Sequence, residues 1–247
     1  MFCLDKGSGE KTLLFLHGWG GSSASFAPLV NILCDTYRCL APDFYGHGHT
    51  PAEHVCSVHD FALGVRNILN EKGVKEVIVV AHSFGGRVAL DLVGDERIKG
   101  LVIIDGAGMK PRASVKKFFR ALKYRLKKAL RLDVSNCGSP DYKALSPLMK
   151  QTFVKVVNTH QDGVLRGIKQ PVLLLWGKKD RDTPPYMAHR MHKRIKDCKA
   201  VFLSGGHFCY LDHVAEVCVF IRNFACGVFY GMVGGIGGRS GAHGVIA

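Results

Sequence analysis

Short apolar runs recur along the chain at Leu13–Leu16, Arg38–Ala41, Val77–Val80, Leu101–Ile104, Val172–Leu175 and Ala200–Leu203. They are rich in leucine and β-branched residues and end in Gly, Pro, Asp or other turn-prone residues, which predicts buried strands. Longer mixed stretches lie between them and read as helices: Phe26–Cys34, Val58–Lys72, Gly86–Val93, Pro185–Ile195 and Leu211–Phe224. Strand and helix therefore alternate. That pattern predicts an α/β fold, a mainly parallel, doubly wound sheet covered on both faces.

The chemistry gathers at the carboxyl ends of these strands, where open α/β sheets place their ligands. Ala81-His82-Ser83-Phe84-Gly85-Gly86 follows one apolar run and precedes a helical stretch. A serine flanked two residues away by small residues, at a strand-to-helix turn, is the pattern of a nucleophile elbow. The small flanks are needed because strand and helix backbones nearly touch there. Ala81 stands where the motif usually has its first glycine.

A serine hydroxyl needs a base to take its proton, and the base needs an orienting acid. In elbow enzymes the chain order is Ser, then acid, then His. Trp176-Gly177-Lys178-Lys179-Asp180 and Ser204-Gly205-Gly206-His207 each follow a predicted strand, so Ser83, Asp180 and His207 fall in that order. Two other acids compete for the middle place. Asp105 ends the run Leu101–Ile104, and Asp182 follows Asp180 by two residues, where it could instead cap the next helix. An oxyanion hole requires two backbone N–H donors beside the serine. Phe84 supplies one, and the glycine-rich His17-Gly18-Trp19-Gly20-Gly21 turn supplies the other at Trp19.

With these motifs and Asp43-Phe44-Tyr45-Gly46-His47-Gly48, the chain resembles the α/β-hydrolase superfamily from about Leu13 to Phe224. It is most similar to the small, single-domain bacterial hydrolases with a helical cap. The resemblance implies a triad of Ser83, Asp180 and His207, oxyanion donors at Trp19 and Phe84, and no metal or organic cofactor. It also implies a cap inserted after the strand that ends near Asp105, at about residues 106–167, with helices near Val115–Leu132 and Ser146–Asn158. Asp105 sits where some members keep their acid. Members usually begin with a two-stranded hairpin. Only about ten residues precede the first core strand here, so at most one short edge strand is expected.

The implied activity is hydrolysis of an ester or related acyl bond of a small, largely apolar substrate. Carbon–carbon bond or thioester hydrolysis fits the same groups, and a non-catalytic ligand-binding module or a membrane-surface protein stands outside catalysis. The expected substrate-binding residues are Phe118, Phe119 and Leu122, on the apolar stripe of the first cap helix.

At 247 residues with 47% apolar content, one domain over 1–226 is expected, followed by a flexible tail over 227–247, where eight glycines make ordering costly. The net charge is +14, and ten Lys or Arg with no acid lie between Lys110 and Arg131. This basic stretch reads first as the wet face of the cap helix, and second as a weak contact with an anionic membrane surface. Nucleic acid is not an expected partner, because no recognition motif accompanies the charge. Oligomeric state is left open.

No 18-residue apolar run and no signal-peptide pattern occurs, and nine cysteines are scattered without a framework, so a cytoplasmic protein with reduced thiols is expected. Among the twelve histidines no His-x-x-x-His spacing occurs, nor Cys-x-x-Cys among the cysteines, so no structural zinc is expected. His17 and His82 read as local hydrogen-bonding residues. His47 and His49 read as substrate-facing or solvated, and His213 as a surface or packing residue.

Overall fold

The computed structural model describes residues 1–112, 140–231 and 245–246. Its sheet has eight strands: β1 (Cys3–Lys6), β2 (Thr12–Leu16), β3 (Arg38–Pro42), β4 (Val77–His82), β5 (Ile98–Ile104), β6 (Val172–Gly177), β7 (Cys198–Leu203) and β8 (Val245–Ile246). Their spatial order is β1-β3-β2-β4-β5-β6-β7-β8. Only β1 runs antiparallel, pairing Cys3 with Pro42 and Lys6 with Cys39. It is the single short edge strand expected before the first core strand.

The helices are α1 (Ala27–Leu33), α2 (Val58–Glu71), α3 (Phe84–Leu92), α4 (Pro140–Ala144), α5 (Pro147–Val157), α6 (Tyr186–Arg194), α7 (Cys209–Asp212) and α8 (Val214–Tyr230). Side chains alternate across a strand, so β4 feeds two cores. Val77, Val79 and Ala81 pack with Val65, Val88 and Met191 from α2, α3 and α6. Ile78 and Val80 pack with Leu29 and Ile221 from α1 and α8. Every residue of β2, β4 and β6 is buried, as strands covered on both faces require.

The last long helix runs past the end expected for it at Phe224. The domain boundary expected at residues 226–227 falls inside α8, whose apolar repeat runs on to Tyr230 before Gly231, at φ 64°, ends it in the left-handed region. In the stretch expected as a tail, Val245 and Ile246 pair with Ala200 and Val201 of β7. The rest of that tail, 232–244 and 247, lies outside the described residues, as does the cap helix expected near Val115–Leu132. A helix is present where one was expected near Ser146–Asn158: it is α5, where Ser146 accepts the Met149 N–H and Pro147 takes the first helical position. Among the described residues no helix is long and apolar enough to cross a membrane.

Candidate active site

Ser83 links β4 to α3 with φ 50° and ψ −114°, a conformation that non-glycine residues rarely adopt. The local sequence makes that turn possible. A Cβ on Gly85 would overlap the Leu16 carbonyl oxygen, and one on Gly86 would meet Gly106 Cα at 3.1 Å. The turn is closed by Gly86 N–H and Ala107 N–H donating to the Ser83 carbonyl at 2.9 and 2.8 Å.

The Ser83 hydroxyl donates to His207 Nε2 at 2.8 Å, and His207 Nδ1–H donates to Asp180 Oδ2 at 2.9 Å. The structure thus brings together three side chains from the ends of β4, β6 and β7. Burial works against a charged His207, but the hydrogen bond and charge of Asp180 outweigh it and raise the pKa above its ordinary 6.5. Burial likewise works against the Asp180 carboxylate, yet its bonds from His207 and Thr183 hold its pKa below the usual range.

Asp180 is 4% exposed and accepts at both oxygens. Oδ1 takes the N–H groups of Asp182 at 2.8 Å and Thr183 at 3.1 Å. Oδ2 lies 2.7 Å from the Thr183 hydroxyl as well as facing His207. Trp176 Nε1–H, donating to the Thr183 carbonyl at 2.7 Å, pins this loop to the core. Thr183 was not among the residues the sequence pointed to. Its one signal is its place just after the Asx-type turn that the Asp180 side chain makes with the N–H two residues on, at Asp182.

The two rival acids are occupied otherwise. Asp105 Oδ1 accepts the Gly177 N–H at 2.8 Å, and Oδ2 accepts the Cys209 thiol at 3.1 Å. Burial, only partly offset by these bonds, pushes its pKa up to about 7. Asp182 is exposed, and no side chain caps α6, whose N-cap is Pro185. Asp180, Asp182 and His207 could offer ligand atoms within 4.8 Å of one another. Asp180 and His207 already bind each other, however, so a cation there would compete with that contact.

Phe84 begins α3, and the N–H of a first helical residue has no partner inside its helix. Trp19 lies inside the turn that Gly21 N–H closes on the Gly18 carbonyl at 3.1 Å, so its own N–H is outside that bond. Gly18 packs against the serine: a Cβ there would lie 3.3 Å from Ser83 Cβ. His17 holds this turn, donating from Nδ1 to the Gly18 carbonyl at 2.7 Å while Nε2 accepts the Phe44 N–H at 3.1 Å. Burial lowers its pKa to about 4, so the ring stays neutral.

Aromatic rings gather around Trp19, in the turn that packs against the serine. Phe118, Phe119 and Leu122 lie outside the described residues. Phe153 of α5 meets the Trp19 ring edge-on at 5.1 Å, and Trp19 meets Phe84 at 5.5 Å. His47 completes this cluster at 4.9 Å from Trp19. It is buried, neither solvated nor free, and donates to the Tyr45 carbonyl at 3.0 Å. His49 is solvated, with 74% of its side chain exposed beside Asp43. His213 joins Ser204 and Glu216 near the surface at the start of α8.

The sequence pattern of the Alpha/beta hydrolase family matches residues 13–219, most of the chain and every group just described. The chain belongs to this family. It is an enzyme of the α/β-hydrolase type. It is 26% identical over 231 residues to the dihydrolipoyllysine-residue acetyltransferase component of an acetoin cleaving system from Cupriavidus necator. That match covers 84% of this chain but 61% of the relative, so the chain spans less than two thirds of that protein. A pimeloyl-[acyl-carrier protein] methyl ester esterase from Neisseria meningitidis serogroup B is 23% identical, with 88% of this chain and 93% of the relative covered. Among solved structures, a thermophilic esterase from Thermogutta terrifontis superposes with a TM-score of 0.74 at 20% identity, covering 92% of this chain and 93% of that one. At that identity the superposition speaks for the fold.

Proposed function

We propose that this hydrolase cleaves a carboxylic ester of a small, largely apolar substrate through an acyl-enzyme. The observation that carries the reading is the continuous chain of bonds from Ser83 Oγ through the His207 ring to Asp180, at 2.8 and 2.9 Å. His207 Nε2 takes the Ser83 proton as Oγ attacks the ester carbonyl. The N–H groups of Trp19 and Phe84 then face the developing oxyanion, each contributing roughly 3 kcal/mol to the barrier reduction. The protonated His207 gives its proton to the leaving alcohol, the acyl group stays on Ser83, and a water deprotonated by His207 releases the acid. Asp180 holds the ring with Nδ1–H toward the carboxylate and stabilises its charged form.

The Trp19, Phe84 and Phe153 rings favour an apolar group beside the scissile bond. Similarity to a protein named as a methyl ester esterase acting on a carrier-bound acyl chain supports an ester ahead of a thioester or a carbon–carbon bond. The test is turnover of p-nitrophenyl esters of graded chain length, together with labelling by a fluorophosphonate. Ser83→Ala should lose both. Retained turnover in that variant, or an unlabelled wild-type protein, would overturn the reading.

A further inference from the structure

His82 ends β4, immediately before Ser83, and is 2% exposed. Its Nε2–H donates to the backbone carbonyl of His207 at 2.7 Å, linking residues 125 apart in the chain. A carbonyl only accepts, so Nε2 carries the proton. Burial lowers the His82 pKa to about 4, which keeps this donor neutral and unchanged through the working range. The ring is fixed by packing against His207 at 4.9 Å, Phe208 at 5.1 Å and Tyr210 at 4.9 Å.

The segment it grips is anchored beyond the base by Cys209 and Tyr210, whose thiol and hydroxyl donate to Asp105 and to the Ser25 carbonyl, but it enters the base through two glycines. His207 follows Gly205 and Gly206, with Gly205 at φ 106°, so the chain entering the base has the freest backbone available. Lys179 N–H holds the Gly205 carbonyl at 2.9 Å, and Cys209 N–H approaches the Gly206 carbonyl at 3.2 Å. Among the described residues, the His82 bond is the side-chain contact on the His207 backbone itself. We propose that His82 is a positioning residue: its neutral Nε2–H tethers the base-bearing loop to the strand end that carries the nucleophile, setting the Ser83–His207 separation. The inference rests on the serine-hydrolase reading for its kinetic consequence, but the tether has a structural readout of its own.

The experiment compares wild type, His82→Phe, which keeps ring volume without a donor, and His82→Gln, which restores an amide N–H of similar reach. Loss of alignment should lower kcat in His82→Phe by on the order of 10²-fold with KM little changed. Amide hydrogen exchange across Ser204–Leu211 should rise in the same variant. His82→Gln should recover most of both. Wild-type kcat or unchanged loop exchange in His82→Phe overturns the proposal, as does a Gln variant no better than Phe. If His82→Phe does not fold, nitrogen NMR of wild-type histidines decides. His82 should stay a neutral Nε2–H tautomer between about pH 5 and 9, and a titrating or Nδ1–H ring would refute the tether. A wild-type protein that hydrolyses no ester would count against the serine chemistry, while exchange and NMR would still judge the tether.

Discussion

Replacing Asp180 by Asn tests the assignment of the acid most sharply, because the structure says what the amide must do. Both Asp180 oxygens accept: Oδ1 from two backbone N–H groups, and Oδ2 from Thr183 and His207. An asparagine has one oxygen. If it serves the Asp182 and Thr183 amides, its NH2 group points at His207 Nδ1. The ring must then accept there and carry its proton on Nε2, where it cannot take the Ser83 proton. The lost charge matters too. A carboxylate 2.9 Å from the imidazolium that forms during acylation contributes about 6 kcal/mol at an effective dielectric near 20. A fall in kcat of about 10⁴-fold, or about 5.4 kcal/mol, is therefore expected. The assay is steady-state ester hydrolysis across pH. His207 must be neutral to act, and Asp180 raises its pKa above 6.5, so the acid limb of kcat/KM should lie above that pH in the wild type. In Asp180→Asn the limb should move to lower pH while the plateau falls. Asp105→Asn should do far less, since its oxygen can still accept from Gly177 and its NH2 faces the Cys209 sulfur. An Asp180→Asn variant within about tenfold of wild type, with Asp105→Asn the more damaged, would refute the assignment.

Phe153→Ala should raise KM for apolar esters about three- to tenfold, as expected for losing an edge-on aromatic contact and its buried area; KM unchanged across acyl chain lengths would remove Phe153 from the binding wall. Gly85→Ala forces a Cβ into the Leu16 carbonyl, a backbone clash costing more than about 4 kcal/mol. It should lower Tm by more than about 10 °C in a chain of this size or prevent folding, and a wild-type melting curve would contradict this. Asp43 is fully buried and accepts the Ser23 N–H at 2.6 Å and the His49 N–H at 2.8 Å. Although burial opposes its charge, these bonds hold its pKa below the ordinary 3.8. A depressed carboxylate stabilises the fold above its unfolded pKa, and the effect fades as pH falls through the folded value. Asp43→Ala should therefore cost about 2–4 kcal/mol at neutral pH. In denaturant titrations at descending pH, the gap to wild type should narrow below about pH 4, and a constant gap would argue against this account.

Local patterns carried much of this protein. Continuous apolar runs are what a strand buried on both faces needs, so β2 to β7 were legible, with errors confined to their ends. The turns that carry Ser83 and His207 were legible because each demands a particular local backbone: small flanks for a strained serine, and a Gly-Gly turn before the histidine. The helix limits were less so. Nothing in the run from Val214 to Tyr230 marks residue 226 as an end, and the apolar repeat simply continues to Gly231.

The choice among acids belonged to tertiary structure. Asp105 and Asp180 both follow strands of the same sheet, and chain order admits either. What separates them is which way each loop turns. Asp105, at φ 46°, is directed onto the β6 backbone at Gly177, while Thr183 folds the Asp180 loop back toward His207. The contact between Phe153 and Trp19 was likewise invisible in advance. Several aromatic residues lie between β5 and β6, and the packing of α5 against the Trp19 turn brings Phe153 to that ring. One-dimensional order reports which backbones and side chains are available; contacts between residues a hundred positions apart depend on strand order and loop direction, which only the assembled sheet sets.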